Sequence, residues 1–316
     1  MRIAYLISVY KDPIHLRRLV KALSWGMSGK VRFFIHVDAK VSIEPFEQCF
    51  NNTDNIVFLN KRYWVQWGGY SQVQYQIELF NSAIRDEQTY GKYDRFVLIT
   101  GQDYPLMSNA DMVRMYETEK DKLFVRGLNK TLHHKKAYWQ FTKYHFFRDT
   151  RFRNPRVKQL LSFTARLLFT ILPIRKPPYL ICDDGKKWDV WQASSYMSLT
   201  HQCVEYICSH MEQNKNISKY FRYSFVPEEK VVPTIIFNSS FKQYAEVSNF
   251  KEYRGLIFLS CLEEFEYGKS IKIYTEEDYD SLVQSGKLFC RKVETKISDK
   301  LMDMLDVHNG IIDNNN

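Results

Sequence analysis

Two adjacent carboxylates, Glu228 and Glu229, follow Pro227 and precede an apolar run, Val231–Phe237. A carboxylate at the mouth of a cleft can act as a general base, taking the proton of a hydroxyl as that hydroxyl attacks. The same residues also suit a plain helix start: proline costs nothing in a first turn, and acids favour the positive end of the helix dipole. The stretch alone leaves both readings open. Two further acids, Asp38 and Asp103, each follow an apolar run, as does the turn at Trp67-Gly68-Gly69. If those runs are strands, all three positions can face one crevice.

The elements that would position them read as follows. Ile3–Val9 and Val31–Val37 are continuous apolar runs, the mark of strands buried on both faces. Asn55–Leu59, Phe96–Thr100 and Leu123–Val125 read as further strands, and Ile14–Leu23, Ser71–Ile84 and Asn109–Glu119 as helices. Strand and helix alternate, which predicts an α/β fold with an open, mostly parallel sheet and a ligand site outside the carboxyl ends of its strands. Regularity is lost from His133 to Lys187. It returns with a strand at Ala193–Leu199, a helix at His201–His210, and strands at Phe241–Val247 and Leu256–Leu259. Thr275 with Asp278 forms a capping box opening a helix to Gln284, and Ile297–Leu305 is the last helix. We expect one domain over 1–306, with halves at 1–130 and 131–306, and a frayed tail at 307–316.

The chain has 316 residues and a net charge of +9, so its partner is expected to be anionic: nucleic acid, a membrane surface or a phosphorylated substrate. Zinc-knuckle spacing, RNA-binding aromatic motifs and a long basic arm are missing, which argues against nucleic acid. A nucleotide-sugar fits the charge equally well. Aromatics are abundant (21 Tyr, 22 Phe and 6 Trp) and suit both a core and sugar rings. The six cysteines are scattered without a CxxC pair and read as reduced thiols. His133 and His134 have no carboxylate or cysteine at ligand spacing, so we expect no metal there. Val157–Leu172 predicts an apolar helix carrying Lys158 and Arg166. Either it belongs to the core, or residues 156–176 touch an anionic membrane surface peripherally.

Five motifs fall in one order: IHVDAK around Asp38, TGQDYPL at Thr100–Leu106, ASSYMSLT at Ala193–Thr200, VPEEKVVPTIIFNSSF at Val226–Phe241, and LFCRK at Leu288–Lys292. Together they resemble the core-2/I-branching glycosyltransferase family, with its β-1,6-N-acetylglucosaminyltransferases and peptide-O-xylosyltransferases. The resemblance runs from Ile3 to about Asp306, and the PEE…NSSF and LF-x-RK pair is its most specific part. It implies a GT-A-type fold and an inverting sugar transfer from a UDP-sugar without a bound metal. It also implies that the second acid of the Pro-Glu-Glu motif, Glu229, is the base, and that Lys292 and Lys269, or Lys272 or Arg254 in place of Lys269, hold the diphosphate. Arg291 is expected beside them, with Val9, Tyr10 and Asp38 at the nucleoside and Asp103 near the donor sugar. Trp139, Lys143, Trp188, Tyr196 and Glu228 are expected at the acceptor.

The chemistry agrees with that mapping. In-line displacement needs one base and fixed positive charge at the leaving diphosphate. Lys and Arg can supply the charge. The strand Phe96–Thr100 is followed by GQD, with no Asp-x-Asp for a metal. Two features depart from the family. Ala193-Ser194, followed by Tyr196 where Trp or Tyr is usual, stands where Gly-Ser is common, and Pro233 inside the presumed catalytic helix should kink it or shorten it to a turn. Eukaryotic members carry a membrane anchor and lumenal disulfides. Their lack here points to a cytoplasmic, bacterial-type enzyme at the inner face of the membrane, acting on a glycan or lipid-linked saccharide for surface polysaccharide. Two alternatives stand beside this reading: a glycoside hydrolase using Glu229 with a second acid such as Asp103, and a non-catalytic carbohydrate-binding protein.

Overall fold

The longest apolar runs form the centre of a five-stranded sheet: β1 (Ile3–Val9), β2 (Val31–Val37), β3 (Ile56–Phe58) and β4 (Arg95–Thr100). Its order is Met197–Thr200, β4, β1, β2, β3, with every pair parallel except Met197–Thr200 against β4. This computed structural model describes residues 1–50, 53–133, 135–151, 155–171, 174–249, 251, 255–268 and 270–311.

Successive strand residues point to opposite faces, and here both faces are covered. Tyr5, Ile7, Phe33 and Ile35 pack on one side with Leu16 and Leu19 of the helix Pro13–Ser24 and Leu301 and Leu305 of the helix Asp299–His308. Ala4, Leu6, Phe34 and Phe96 pack on the other with Leu79 and Phe80 of the helix Ser71–Tyr90 and Ile235 of the helix Val231–Phe237. That double burial is why β1 and β2 read as unbroken apolar runs instead of alternating ones.

Smaller sheets bring distant chemistry to the carboxyl ends of the parallel strands. Phe289–Arg291 pairs antiparallel with Asp103–Pro105, setting Arg291 opposite Asp103, and pairs on its other edge with Glu263–Glu264. Asp12 ties the loop after β1 to the C-terminal region. One of its oxygens caps the helix Pro13–Ser24 by accepting from the His15 N–H at 3.0 Å, and the other accepts from the Thr295 N–H at 2.9 Å.

Several sequence expectations need correction. The strand expected at Ala193–Leu199 is split into Trp191–Gln192 and Met197–Thr200, with Ser194–Tyr196 forming a loop between them. Leu256–Leu259 is a helical turn; four apolar residues carry too little periodicity to separate the two. Most of Phe241–Val247 is the 3₁₀ turn Ser240–Tyr244, leaving only Glu246–Val247 as strand. The strand expected at Leu123–Val125 begins at Arg126. Pro233 does not kink its helix. The helix starts at Val231, so Pro233 sits in the first turn, where no intrahelical donor is needed. The last helix extends to His308, and Asn309 Nδ2 donates to the Pro105 carbonyl at 3.1 Å; residues 312–316 lie outside those described.

Gly127 lets the helix that follows Glu229 approach the strand Arg126–Asn129: a Cβ there would stand 2.2 Å from Phe237, whose ring stacks on Trp191 at 4.6 Å. Gly127→Ala is expected to lower unfolding stability by about 1–3 kcal/mol through overpacking, read as a lower denaturant midpoint. An unchanged midpoint would show that Phe237 can move aside freely.

Candidate active site

A cleft of about 380 Å³ opens at the carboxyl ends of β1, β2 and β4. The loop Ser8–Lys11, Asp38, Gly101 and Gln102 supply its sheet side. Glu228 and Glu229 line it, as do Ser194–Tyr196, Glu263, Arg291 and Lys292.

The acidic pair is held by an unusual backbone. Val226 has φ 49°, a left-handed conformation that a β-branched residue rarely adopts. Such a residue costs on the order of 1–3 kcal/mol and persists only where its surroundings hold it. Here the buried ammonium of Lys230 donates to the carbonyls of Phe225 and Val226, each at 3.0 Å, and the Val226 N–H donates to the Gly68 carbonyl at 3.2 Å. Pro227–Glu229 then form a 3₁₀ turn separate from the helix Val231–Phe237. The helix-start reading thus holds only in part: the acids precede the helix in a turn of their own.

Glu229 is partly exposed to the cleft, and its Oε2 accepts from Gln192 Nε2 at 2.6 Å. Burial raises its pKa above the ordinary 4.5, opposed by Lys230, the Gln192 hydrogen bond and Lys130. Glu228 is buried, and its Oε2 has no hydrogen-bond partner. Burial first, and the neighbouring charge of Glu229 second, push its pKa up. Lys130 is brought down to about 7 by burial and by Lys230, against the pull of Glu229.

The opposite wall is cationic. Arg291 lies under the ring of Tyr196, 4.2 Å from guanidinium carbon to centroid, and 3.9 Å from carboxylate oxygens of both Asp103 and Glu263. Burial works against its charge, but Tyr196, Asp103 and Glu263 outweigh burial and hold its pKa above the ordinary value. Burial, and then Asp103, push the pKa of Glu263 well up, against the pull of Arg291. Lys292 is partly exposed, and its pKa is lowered by burial and then by repulsion from Arg291 and Lys11. A bound dianion would relieve that repulsion.

Val9, Tyr10, Asp38, Tyr196, Glu228, Glu229, Arg291 and Lys292 line one cleft. Asp103 does not. It is fully buried behind Arg291, its oxygens taken by the Thr100 N–H at 2.6 Å and hydroxyl at 3.1 Å, so it cannot touch a donor sugar. Trp188 is also corrected: it is buried in the core and stacks on His210 at 5.6 Å, away from the cleft. Trp139 and Lys143 stand outside the cleft lining; Trp139 stacks on Phe225 at 5.4 Å, and Phe225 meets Trp67 at 5.5 Å. Of these three rings, Trp67, exposed at the rim, is the one that lines the cleft. Lys269 and Arg254 lie outside the described residues, and Lys272 is turned to Asp278 at 2.6 Å. Sequence reasoning missed Glu263, Gln192, Lys130 and Lys230. Only Lys230 had a signal, its place directly after the two acids. Among the described residues no three His, Cys, Asp or Glu converge to hold a metal ion.

Residues 3–250 match the model of the family described as Core-2/I-Branching enzyme. The chain belongs to that family. Its mixed α/β architecture, with a mainly parallel sheet between helices, is the one the motif resemblance led us to expect. The chain is 22% identical over 98% of its length to xylosyltransferase 2 of Rattus norvegicus, covering 34% of that protein. It is 24% identical over 96% of its length to the β-1,3-galactosyl-O-glycosyl-glycoprotein β-1,6-N-acetylglucosaminyltransferase 4 of Mus musculus, covering 64% of it. It thus spans about a third of the first of these curated relatives and under two thirds of the second. A putative glucose-1-phosphate thymidylyltransferase from Bacillus anthracis, solved with sucrose, is a distant structural likeness, with TM-score 0.37 and 9% identity over 78% of this chain and 86% of that one.

The acidic pair gives a pH prediction. A raised carboxyl pKa means the folded chain keeps a proton that the unfolded chain releases. Its burial penalty is therefore absent well below pH 4.5, grows as pH rises from 4.5 to about 8, and is constant above that. Glu228→Gln removes that penalty. The variant is expected to gain on the parent between pH 5 and 8.5, with a slope of at most about 1.4 kcal/mol per pH unit. Denaturant midpoints at the two pH values check this, and parallel pH profiles would contradict it.

Proposed function

We propose that this chain is an inverting glycosyltransferase that moves a sugar from a UDP-sugar to a glycan or lipid-linked saccharide hydroxyl without a metal. The donor sugar is N-acetylglucosamine or xylose, the two that the relatives' names offer. One observation carries the reading: Glu229 and the pair Arg291–Lys292 line the same cleft at the carboxyl ends of parallel strands. Glu229 takes the acceptor hydroxyl proton. The acceptor oxygen forms its bond to the anomeric carbon as the bond to the diphosphate breaks, and Arg291 and Lys292 stabilise the departing charge. Gln192 fixes one carboxylate oxygen of Glu229 and leaves the other to act as base. Val9, Tyr10 and Asp38 would meet the nucleoside, and Tyr196 and Trp67 the sugars. Metal independence is supported by the wall's composition: the two acids there, Asp103 and Glu263, already face a guanidinium. The hydrolase reading loses Asp103 as a second acid, because it is sealed behind Arg291. Six unpaired thiols are compatible with a cytoplasmic setting.

Calorimetric titration of UDP in the presence of EDTA tests the site. The parent is expected to bind, and Lys292→Ala to bind more weakly by roughly 2–5 kcal/mol if the charge pair is desolvated. Binding that requires Mn²⁺ or Mg²⁺ would overturn the metal-free assignment, and unchanged affinity in Lys292→Ala would overturn the role of that lysine. Glu229→Gln is expected to keep UDP affinity and lose transfer by roughly 10²–10⁴-fold. Normal turnover in that variant would remove Glu229 as the base.

A further inference from the structure

The helix Pro155–Ile171 is turned the wrong way for a core element. Gln159, Ser162, Phe163 and Ala165 line a groove of about 590 Å³ against the protein. The helix's apolar side chains are nonetheless largely open: Val157 is 43% exposed, Leu160 62%, Phe163 62%, Leu167 53% and Leu168 54%. A soluble helix buries that stripe. Among the described residues no helix is long and apolar enough to cross a membrane, so this one does not span.

Charge decides what covers it. Residues 130–176 contain twelve Lys and Arg and one acid, Asp149. Since the whole chain carries +9, the remainder is slightly acidic. Asp149 is itself engaged, accepting from the Tyr70 N–H at 2.6 Å and the Ser71 hydroxyl at 2.6 Å. Lys130 and Lys176 are buried, but Lys135, Lys136, Arg151, Arg156 and Arg175 are exposed. A second copy of the chain would bring this basic belt against itself across a two-fold axis. An anionic lipid surface satisfies both features at once, taking the apolar stripe into its acyl boundary and the belt at its headgroups.

We infer that this helix lies in the plane of an anionic bilayer with its apolar face inserted. The groove behind it shares Trp67 with the cleft, so docking brings the cleft's rim toward the lipid surface. This inference does not rest on sugar transfer, and its test reads none.

The test is flotation of the full chain with vesicles of phosphatidylcholine, alone or mixed equally with phosphatidylglycerol. The expected result is flotation with the mixed vesicles only, weakened by added salt. Leu160→Asp with Phe163→Asp, at exposed positions, should abolish flotation with an unchanged thermal melt. Lys135→Glu with Lys136→Glu should reduce partitioning about tenfold or more. Equal flotation of the Asp variant, or none of the parent, would overturn the inference. So would a parent dimer in light scattering that the Asp variant abolishes, since the stripe would then be a self-association face.

Discussion

The cleft depends on one largely enclosed cation. Arg291 reaches it from a strand that pairs with Asp103–Pro105 on one edge and Glu263–Glu264 on the other. A guanidinium so enclosed is unfavourable unless its charge is met. Two carboxylates and a tyrosine ring meet it here. Burial raises the pKa of both carboxyls, and the guanidinium draws each back down. The same contacts join three separate stretches of chain: the turn after β4, the loop through Glu263 and the C-terminal strand. Lys292, next in sequence, is thereby fixed at the cleft wall. Removing either acid would disturb the position of the cation pair and would not merely alter its charge.

The acidic side is built on the same principle with signs reversed. Glu228 and Glu229 are adjacent and enclosed, and both cannot ionise cheaply. Lys230 and Lys130 lie close enough to support one negative charge, and Glu229 has a hydrogen-bond donor in Gln192 as well. Glu228 lacks such help at its Oε2, so the proton stays there. The pair is therefore divided by environment: Glu228 is buried without a partner at Oε2, and Glu229 faces the cleft with a donor at its own Oε2. Lys230 has a second duty, holding the carbonyls on either side of the strained Val226 peptide. Charge placement and backbone strain are thus fixed by one side chain.

Much of this was legible in the sequence where the physics is local or periodic. β1, β2 and β4 were readable because burial on both faces leaves an unbroken apolar run. Asp38, Glu229 and Lys292 were readable because motif order ties each to the end of an element. The misses have a common cause. Glu263 sits on a two-residue strand, too short to show a period, and its role exists only because Arg291 arrives from 28 residues further on. Trp188 shows the converse: an aromatic serves a core as well as a sugar, and nothing local says which. Asp103 was rightly singled out but wrongly used. Its spacing from Thr100 lets it fold back on that residue's N–H, which consumes the oxygens a ligand would need. The helix Pro155–Ile171 is the same problem in another form, since periodicity identifies a stripe but not the medium it faces.

The two charged walls explain why the cleft can be ready before anything binds. Each wall carries its countercharge within the protein: Asp103 and Glu263 behind Arg291, Lys230 and Lys130 around Glu229. Little rearrangement is then needed when charge develops in the cleft, which is the condition under which fixed dipoles and ions stabilise a transition state best. Lys292 is the part left unbalanced. Lys11 is paired to Glu294 at 2.5 Å, which also accepts from Gln102 at 2.9 Å, while Lys292 feels both neighbouring cations. An anion entering there meets a site whose charges already repel one another. Its arrival lowers the energy of the wall as well as its own. In this cleft binding is therefore favoured most where the empty protein is least comfortable, directly across from the carboxylate that would receive the proton.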